Sequence, residues 1–420
     1  MKEKVILVGT NYQNQIDLDY SLAELRNLAE NLDFEVTSTI SQNLHSISPI
    51  SYIGKGKLEE LKLEIEERAA TTVIFNDELS PSHVRNLTEY LDCEILDRSN
   101  LILEIFNQRA TTKESKLQVE IAELQYLLPR LVNQSINYSR QRGGGVINRG
   151  SGETKLETSR RQIEIKIKSL QKELDEVVSE RVTQRRLREK NNTKVVSLVG
   201  YTNSGKSTLL NSLMDMYESS NKQVLEKDIL FATLTTSVRQ IKLNNLRTFL
   251  LTDTVGFIDK LPHHLIKAFR STLEEILYSD LLLHVVDRSH SYYQKQMDVV
   301  LETLKDIGVK DLPIITVYNK CDLTVIKYPK IENDSTYISA KTKNGIEELI
   351  KLIDNKLFNI ITCKVFIPYD EMQIINYLYE NAIITNREDQ EKGINLTISM
   401  TKEDYQKFRA IFSDVSVRRE

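Results

Sequence analysis

The chain has 420 residues, more than one hydrophobic core usually organises, so two to four domains are expected. Its 40% hydrophobic and 28% charged residues describe a soluble globular protein and exclude a disordered or membrane-embedded one. The formal net charge of -4 gives no global basicity, so any nucleic-acid contact must come from a local patch. Cys93, Cys321 and Cys363 show no CxxC spacing and read as reduced cytosolic thiols. The start, MKEKVILVGT, holds an apolar run too short for a secretory signal, and no stretch approaches the ~20 apolar residues of a membrane span. A cytoplasmic location is expected.

Over the first ~110 residues, short β-like runs alternate with helical patterns. Val5 to Gly9 and Thr72 to Asp77 read as buried strands, and Ser21 to Leu32 and Lys57 to Ala69 as amphipathic helices. That order predicts a small α/β domain with a parallel sheet. Its YIGKGK stretch, Tyr52 to Lys57, reads as a turn before a helix, since no full phosphate-loop spacing follows.

From Lys113 to Tyr138 the pattern is helical, with Leu117, Ile121, Leu124, Leu128 and Leu131 on one stripe. A second helix, from Glu157 to about Lys190, carries Ile163, Ile167, Leu170, Leu174 and Val177. Two narrow apolar seams joined by one loop predict an antiparallel hairpin, with Pro129 kinking or ending its first arm. The joining stretch, SRQRGGGVINRGSGETKLETSRR, holds five glycines. Between Arg140 and Lys190, 14 Lys and Arg stand against 8 Asp and Glu, a local charge of +6. The loop is either a flexible linker or a basic tip for a phosphate-rich site, where Arg140, Arg142, Arg149 and Lys155 would contact phosphates and glycines allow close approach.

GYTNSGKST, from Gly200 to Thr208, fits the phosphate-cradling loop. It lies between the strand-like TKVVSLVG and a helix start, STLLNSLM. Gly200, Tyr201, Thr202, Asn203, Ser204, Gly205, Lys206, Ser207 and Thr208 are thus expected to bind nucleotide. The backbone N–H groups of Asn203 to Ser207 would point at the β-phosphate, helped by the helix dipole. Lys206 would bridge the β- and γ-phosphates, and the Ser207 hydroxyl would ligate Mg2+. This motif alone leaves ATPase, kinase and GTPase open.

Later stretches narrow the choice. TFLLTDTVGF ends a strand at Asp253, the expected magnesium anchor. Thr254 and Val255 follow, and then Gly256, whose N–H is expected at the γ-phosphate. In NKCD, Asn319, Lys320, Cys321 and Asp322, the Asp carboxylate would accept from guanine N1–H and N2–H₂, which adenine lacks, while Lys320 packs on the base. Ser339, Ala340 and Lys341 form SAK, with the Ala340 N–H directed to guanine O6. In FATLTTS, Phe231, Ala232, Thr233, Leu234 and Thr235 are the expected switch loop; Thr233 is the magnesium ligand, with Thr235 and Thr236 as rivals. The ordered set points to a GTP-binding, doubly wound α/β domain with the ligand at the strand C-terminal ends. Phe257 stands where Ras-type enzymes place a water-orienting Gln, so intrinsic hydrolysis is expected to be slow. Asn203 occupies a position where some GTPases use Asn to help hold K+, and is equally an ordinary turn residue.

These residues resemble the HflX family of the Obg–HflX group of translation-factor-related GTPases. The resemblance is carried by GYTNSGKSTLLN, LFATL, DTVGFI followed by LPHHLIKAFRSTLEEI, LLLHVVDRSH and NKCDL, and outside them by YIGKGKLEEL, DRSNLILEIFNQRA, KLQVEIAELQYLLPRL and GSGETKLETSRR. The family usually has Asp-Pro after ATL, where this chain reads Thr235-Thr236, and MDMYESSNKQVLEKD before LFATL is longer than usual. The resemblance covers most of residues 1–360 and implies an N-terminal α/β domain (1–112), a helical hairpin with a Gly-rich basic loop (113–192) and a doubly wound GTPase domain (193–360); beyond it a small α+β C-terminal appendix (361–420) is expected. The pattern of the last sixty residues reads as a β-α-β-β-α unit that shows no chemistry of its own and suits docking. The resemblance implies a magnesium-dependent GTPase that binds the large ribosomal subunit through ribosomal RNA and dissociates stalled or idle ribosomes, with secondary ATP hydrolysis, as a monomer when free. A GTPase of ribosome assembly or tRNA modification is the alternative, although neither substrate-binding cysteines nor a methyl-donor domain is visible.

Overall fold

The computed structural model describes residues 2–12, 17–141, 149–190, 193–217, 237–243, 247–259, 265, 268–269, 273–358, 360–409 and 413–418. Strand β1 (Lys4–Tyr12) is buried from Val5 to Thr10, as a strand covered on both faces must be. It lies parallel between β2 (Glu35–Leu44) and β3 (Thr72–Phe75), and β4 (Glu94–Asp97) completes a sheet of order β2-β1-β3-β4. The crossovers are α1 (Leu18–Asn31), α2 (Lys55–Arg68) and α3 (Pro81–Leu91), followed by α4 (Arg98–Arg109). Side chains at the caps start three of the four. Asp17 accepts from Tyr20 N, Ser80 from His83 N ahead of Pro81, and Asp97 from Asn100 N. YIGKGK is the expected turn, with Gly54 at the cap of α2.

The hairpin consists of α5 (Lys113–Gln141) and α6 (Arg149–Lys190). Leu117 and Ile121 meet Leu170 and Leu174, with Leu124, Ile167 and Val177 alongside, which is the anticipated seam. Pro129, expected to kink or end the first arm, lies inside α5 and does not end it. The neighbouring Arg130 donates to the carbonyls of Tyr126 and Leu79 and to Asp97 Oδ2, tying the helix down at the proline. The second arm begins at Arg149, not Glu157, so Arg149 and Lys155 belong to helix α6 and Arg140 to α5. Arg142 and the triple glycine lie outside the described residues.

A seven-stranded sheet follows, of order β10-β11-β9-β8-β5-β7-β6. Its strands are β5 (Lys194–Gly200), β6 (Ser237–Lys242), β7 (Thr248–Asp253), β8 (Leu281–Asp287), β9 (Ile314–Asn319), β10 (Lys330–Glu332) and β11 (Ser335–Tyr337). The five from β11 to β7 run parallel, and β6 and β10 are antiparallel edges. Helices α7 (Lys206–Tyr217), α8 (Tyr293–Ile307) and α9 (Ile346–Phe358) accompany it. Leu209, Leu210 and Leu213 of α7 and Leu349 and Ile353 of α9 are fully buried in its core. This is the expected doubly wound fold.

The C-terminal segment forms its own sheet, β13-β14-β12-β15, from β12 (Ile360–Pro368), β13 (Ile383–Gln390), β14 (Gly393–Thr401) and β15 (Ser413–Arg418). Helices α10 (Met372–Asn381) and α11 (Lys402–Phe408) complete it. Ile374, Ile375 and Leu378 pack on Val365, Leu396 and Ile398. β15 is one strand more than the β-α-β-β-α order read from the sequence. The described residues divide into two units. One holds the chain up to Arg186 together with Val255–Leu273, and the other holds the seven-stranded sheet and the C-terminal segment.

Candidate GTPase site

β5 delivers the chain to the phosphate loop and α7 carries it away, so the loop amides open at a helix N-terminus beside the C-terminal strand edge. Two glycines are required by close approach. A side chain at Gly200 would run into the Val285 carbonyl, and one at Gly205 into the Asn319 side-chain amide. Gly205 also takes φ +91°, and Asn203 turns the loop at φ 59° with its side chain exposed. The hydroxyl of Thr254, just past Asp253, donates to the Leu198 carbonyl at 2.6 Å and pins the end of β7 to β5.

Lys206 is buried, and its Nζ donates to the carbonyls of Gly200 and Tyr201 at 3.0 and 2.8 Å. Burial lowers its pKa to about 8, against the opposing pull of Asp253. A phosphate brought to this ammonium would relieve that desolvation, so the loop is arranged around an anion. The Ser207 hydroxyl donates to Asp253 Oδ2 at 3.0 Å, and Asp253 is fully buried. A hydroxyl and a carboxylate brought together are the hard oxygen donors magnesium takes, so these residues fit the ion. The remaining ligand named from the sequence, Thr233, lies outside the described residues with Phe231, Ala232, Leu234 and Thr235. Val255, Gly256 and Phe257 are all buried.

The loops expected from the sequence to read the base are joined by one side chain. Asn319, buried at the end of β9, donates from Nδ2 to the Ser204 carbonyl at 3.0 Å, and its Oδ1 accepts from Ala340 N at 2.9 Å. It thereby ties the phosphate loop, NKCD and SAK together. The Ala340 N–H, assigned from the sequence to guanine O6, is engaged by Asn319 in this structure. Lys320 takes φ 59° and its ammonium pairs with Asp287 Oδ2 at 2.8 Å. Cys321 is buried and donates its N–H to the Ile338 carbonyl. Asp322 is half-buried, Ser339 is fully buried with its Oγ accepting from Thr342 N, and Lys341 is exposed.

Two residues of this neighbourhood were not singled out as site residues from the sequence. Asp287 ends β8 and orients Lys320. His284, fully buried in the same strand, lies in register between Val199 and Thr316. Burial, and after it the charge of Lys206, pushes its pKa down to about 4, and its Nε2 has no hydrogen-bond partner among the described residues. The signal was available as a His and an Asp in the apolar run LLLHVVD.

Four family models match the chain in order: a GTP-binding GTPase N-terminal region at residues 19–107 and a GTP-binding GTPase middle region at 109–188, then a 50S ribosome-binding GTPase at 195–320 and an HflX C-terminal domain at 325–413. The GTPase core continues past residue 325, because Ile338, Ile346 and Ile353 pack within it. GTPase HflX of Caldanaerobacter subterraneus subsp. tengcongensis is 44% identical over 409 residues, covering 97% of this chain and 93% of that one. GTPase HflX of Escherichia coli K12 is 34% identical over 413 residues, covering 96% and 95%. A solved GTP-binding protein from Sulfolobus solfataricus in complex with GDP aligns over 86% of this chain and 99% of its own, at 26% identity and a TM-score of 0.46. The family models in order along the chain and relatives 34–44% identical over nearly all of it show that the chain belongs to the HflX family of GTPases.

Proposed function

We propose that this GTP-hydrolysing enzyme binds the large ribosomal subunit and uses the GTP-bound state to dissociate stalled or idle ribosomes in the cytoplasm. The observation that carries the reading is the joining of a GTPase module matched by a 50S ribosome-binding model to a long hairpin whose region from Arg140 carries +6. Cationic side chains on a long helical arm suit the phosphate backbone of folded RNA, which is recognised by shape and charge. No helix of the described residues is long and apolar enough to cross a membrane.

Within the site, the loop amides and Lys206 hold the phosphates, and Ser207, Thr233 and Asp253 hold magnesium, which supplies charge neutralisation when bound. Gly256 meets the γ-phosphate, and Asp322 reads guanine. Phe257 offers no hydrogen bond to water, so the ribosome completes what the isolated enzyme lacks. A potassium ion would sit at the exposed turn residue Asn203.

The test measures hydrolysis of GTP and of ATP with and without large subunits, in potassium and in sodium, alongside sedimentation of 70S particles. Large subunits should raise the GTPase rate about ten-fold or more, a scale on which partner-supplied groups act, and GTP with the enzyme should convert 70S particles to free subunits. A partner-free rate equal to the stimulated one, or intact 70S particles, would refute the reading.

A further inference from the structure

The loop carrying SAK is held from α7, the helix that opens at the phosphate loop. The hydroxyl of Ser212, on that helix, lies 2.6 Å from the Ala340 carbonyl and 2.9 Å from that of Thr208. One proton serves one acceptor well, and the shorter distance gives it to Ala340. Ser212 and Ala340 are both buried. The carbonyl's other donor is Lys343 N, at 3.3 Å. Asp215 of the same helix pairs with the Lys343 ammonium at 2.8 Å, with both side chains partly exposed. Ser212 and Asp215 stand at positions i and i+3 and so share a face of α7.

Ala340 is therefore fixed on both sides. The peptide before it gives its N–H to Asn319 Oδ1 at 2.9 Å, and the carbonyl of the peptide after it accepts from Ser212. For guanine O6 to take that N–H, Asn319 must let it go, while the hold on the carbonyl stays. Without the Ser212 hydroxyl the buried carbonyl keeps only the long turn bond from Lys343, and the peptide turns towards another donor. The exposed Asp215–Lys343 pair is a weak substitute, because such pairs contribute little.

We propose that Ser212 is a positioning residue for guanine recognition. By holding the Ala340 carbonyl it sets the Ala340 N–H where guanine O6 arrives. The inference rests on the assignment of that N–H to O6. Asp322 is assigned to N1–H and N2–H₂, so the two residues act on different atoms of the base. Loss of the Ser212 hydroxyl therefore costs the O6 contact alone, a split that a general loosening of the site would not produce.

The experiment uses the full chain and compares GDP with 6-thio-GDP. The analogue keeps N1–H and the N2 amine and carries sulfur, a weak acceptor, in place of O6. Displacement of a fluorescent GDP gives both affinities, and thermal melting checks folding. Wild type should prefer GDP over the analogue; no preference overturns the O6 assignment and the proposal with it. In Ser212→Ala, GDP affinity should fall about five-fold, the scale of one hydrogen bond, and 6-thio-GDP affinity should hold within a factor of about two. The preference for oxygen thus shrinks. Lys343→Met cuts only the exposed pair and should leave the preference as in wild type. GDP affinity unchanged in Ser212→Ala, or both nucleotides weakening in step, overturns the role of Ser212 while the O6 assignment stands. An equal loss of preference in Lys343→Met overturns it too. Should Ser212→Ala not fold, Ser212→Cys, similar in size with a weaker donor, must show the same fall; an unchanged preference there is equally fatal.

Discussion

At the scale of single residues, the site depends on groups that each serve two loops. Asn319 spends its amide on the Ser204 carbonyl and the Ala340 N–H, so the guanine-reading role proposed for Asp322 would fall on that carboxylate. Asp322→Asn replaces a carboxylate that accepts from two guanine donors by an amide suited to xanthine. GTP binding should weaken by about 2–3 kcal/mol, as for a charge-assisted bidentate contact. Titration giving wild-type affinity would remove Asp322 from that role. His284 makes a different prediction. Its folded pKa of about 4 lies below the ordinary histidine value of 6.5, so in that window the unfolded chain binds more protons than the folded one. Stability is therefore full above pH 6.5 and lost as pH falls towards 4, by up to about 3 kcal/mol at roughly 1.36 kcal/mol per unit. Denaturant melts of wild type and His284→Phe across that window should show a flatter pH dependence for the variant, and parallel curves would count against it.

At the scale of elements, the hairpin is the part built for reach. The 42 residues of α6 at about 1.5 Å each extend about 63 Å, longer than a helix from Glu157 to about Lys190 would be. Its apolar contacts with α5 form a narrow seam, Leu117 and Ile121 against Leu170 and Leu174, so most of the arm's surface is left to charged side chains. Arg149 opens the helix, and Arg142 precedes it in the joining segment. In Arg142→Glu with Arg149→Glu, GTP affinity of the free protein should stay as in wild type, since neither residue belongs to the nucleotide loops. Co-sedimentation with large subunits should weaken, more at higher salt, because each lost phosphate contact removes counterion release. Splitting activity should go with it. Unaltered co-sedimentation at two salt concentrations would reduce the segment to a linker.

At the scale of the whole molecule, the sheets divide the labour. In the seven-stranded sheet, parallel strands place the ends of β5, β7, β8 and β9 at one edge, where Gly200, Asp253, Asp287 and Asn319 lie. The N-terminal sheet is also parallel, with order reversing about β1, yet its core network of Ser21, Asn76, Glu24 and Arg98 ends on a backbone carbonyl of the post-DTVG segment. The DTVG motif itself straddles the two units. A motif continuous in sequence is thus divided between the two units.

What the sequence determined by itself is whatever short-range chemistry dictates. A phosphate loop needs glycines where the backbone bends or approaches closely and a Lys and a Ser at the helix start, and these fall within nine residues between a strand and a helix. The hairpin seam and the parallel sheets were legible for the same reason, since apolar periodicity is local. The second helix's start was not. Gly150 and Gly152 read as loop, but each costs a helix only about 1 kcal/mol, which a long hydrogen-bonded helix absorbs. Tertiary structure alone decided the partners of polar groups distant in the chain. Asn319 meets Ser204 across 115 positions, and Arg98 meets Asp259 across 161. A buried polar group must find a partner, yet nothing in its own neighbourhood of sequence says which. Only the folding of the strands and helices brings that partner within hydrogen-bond reach.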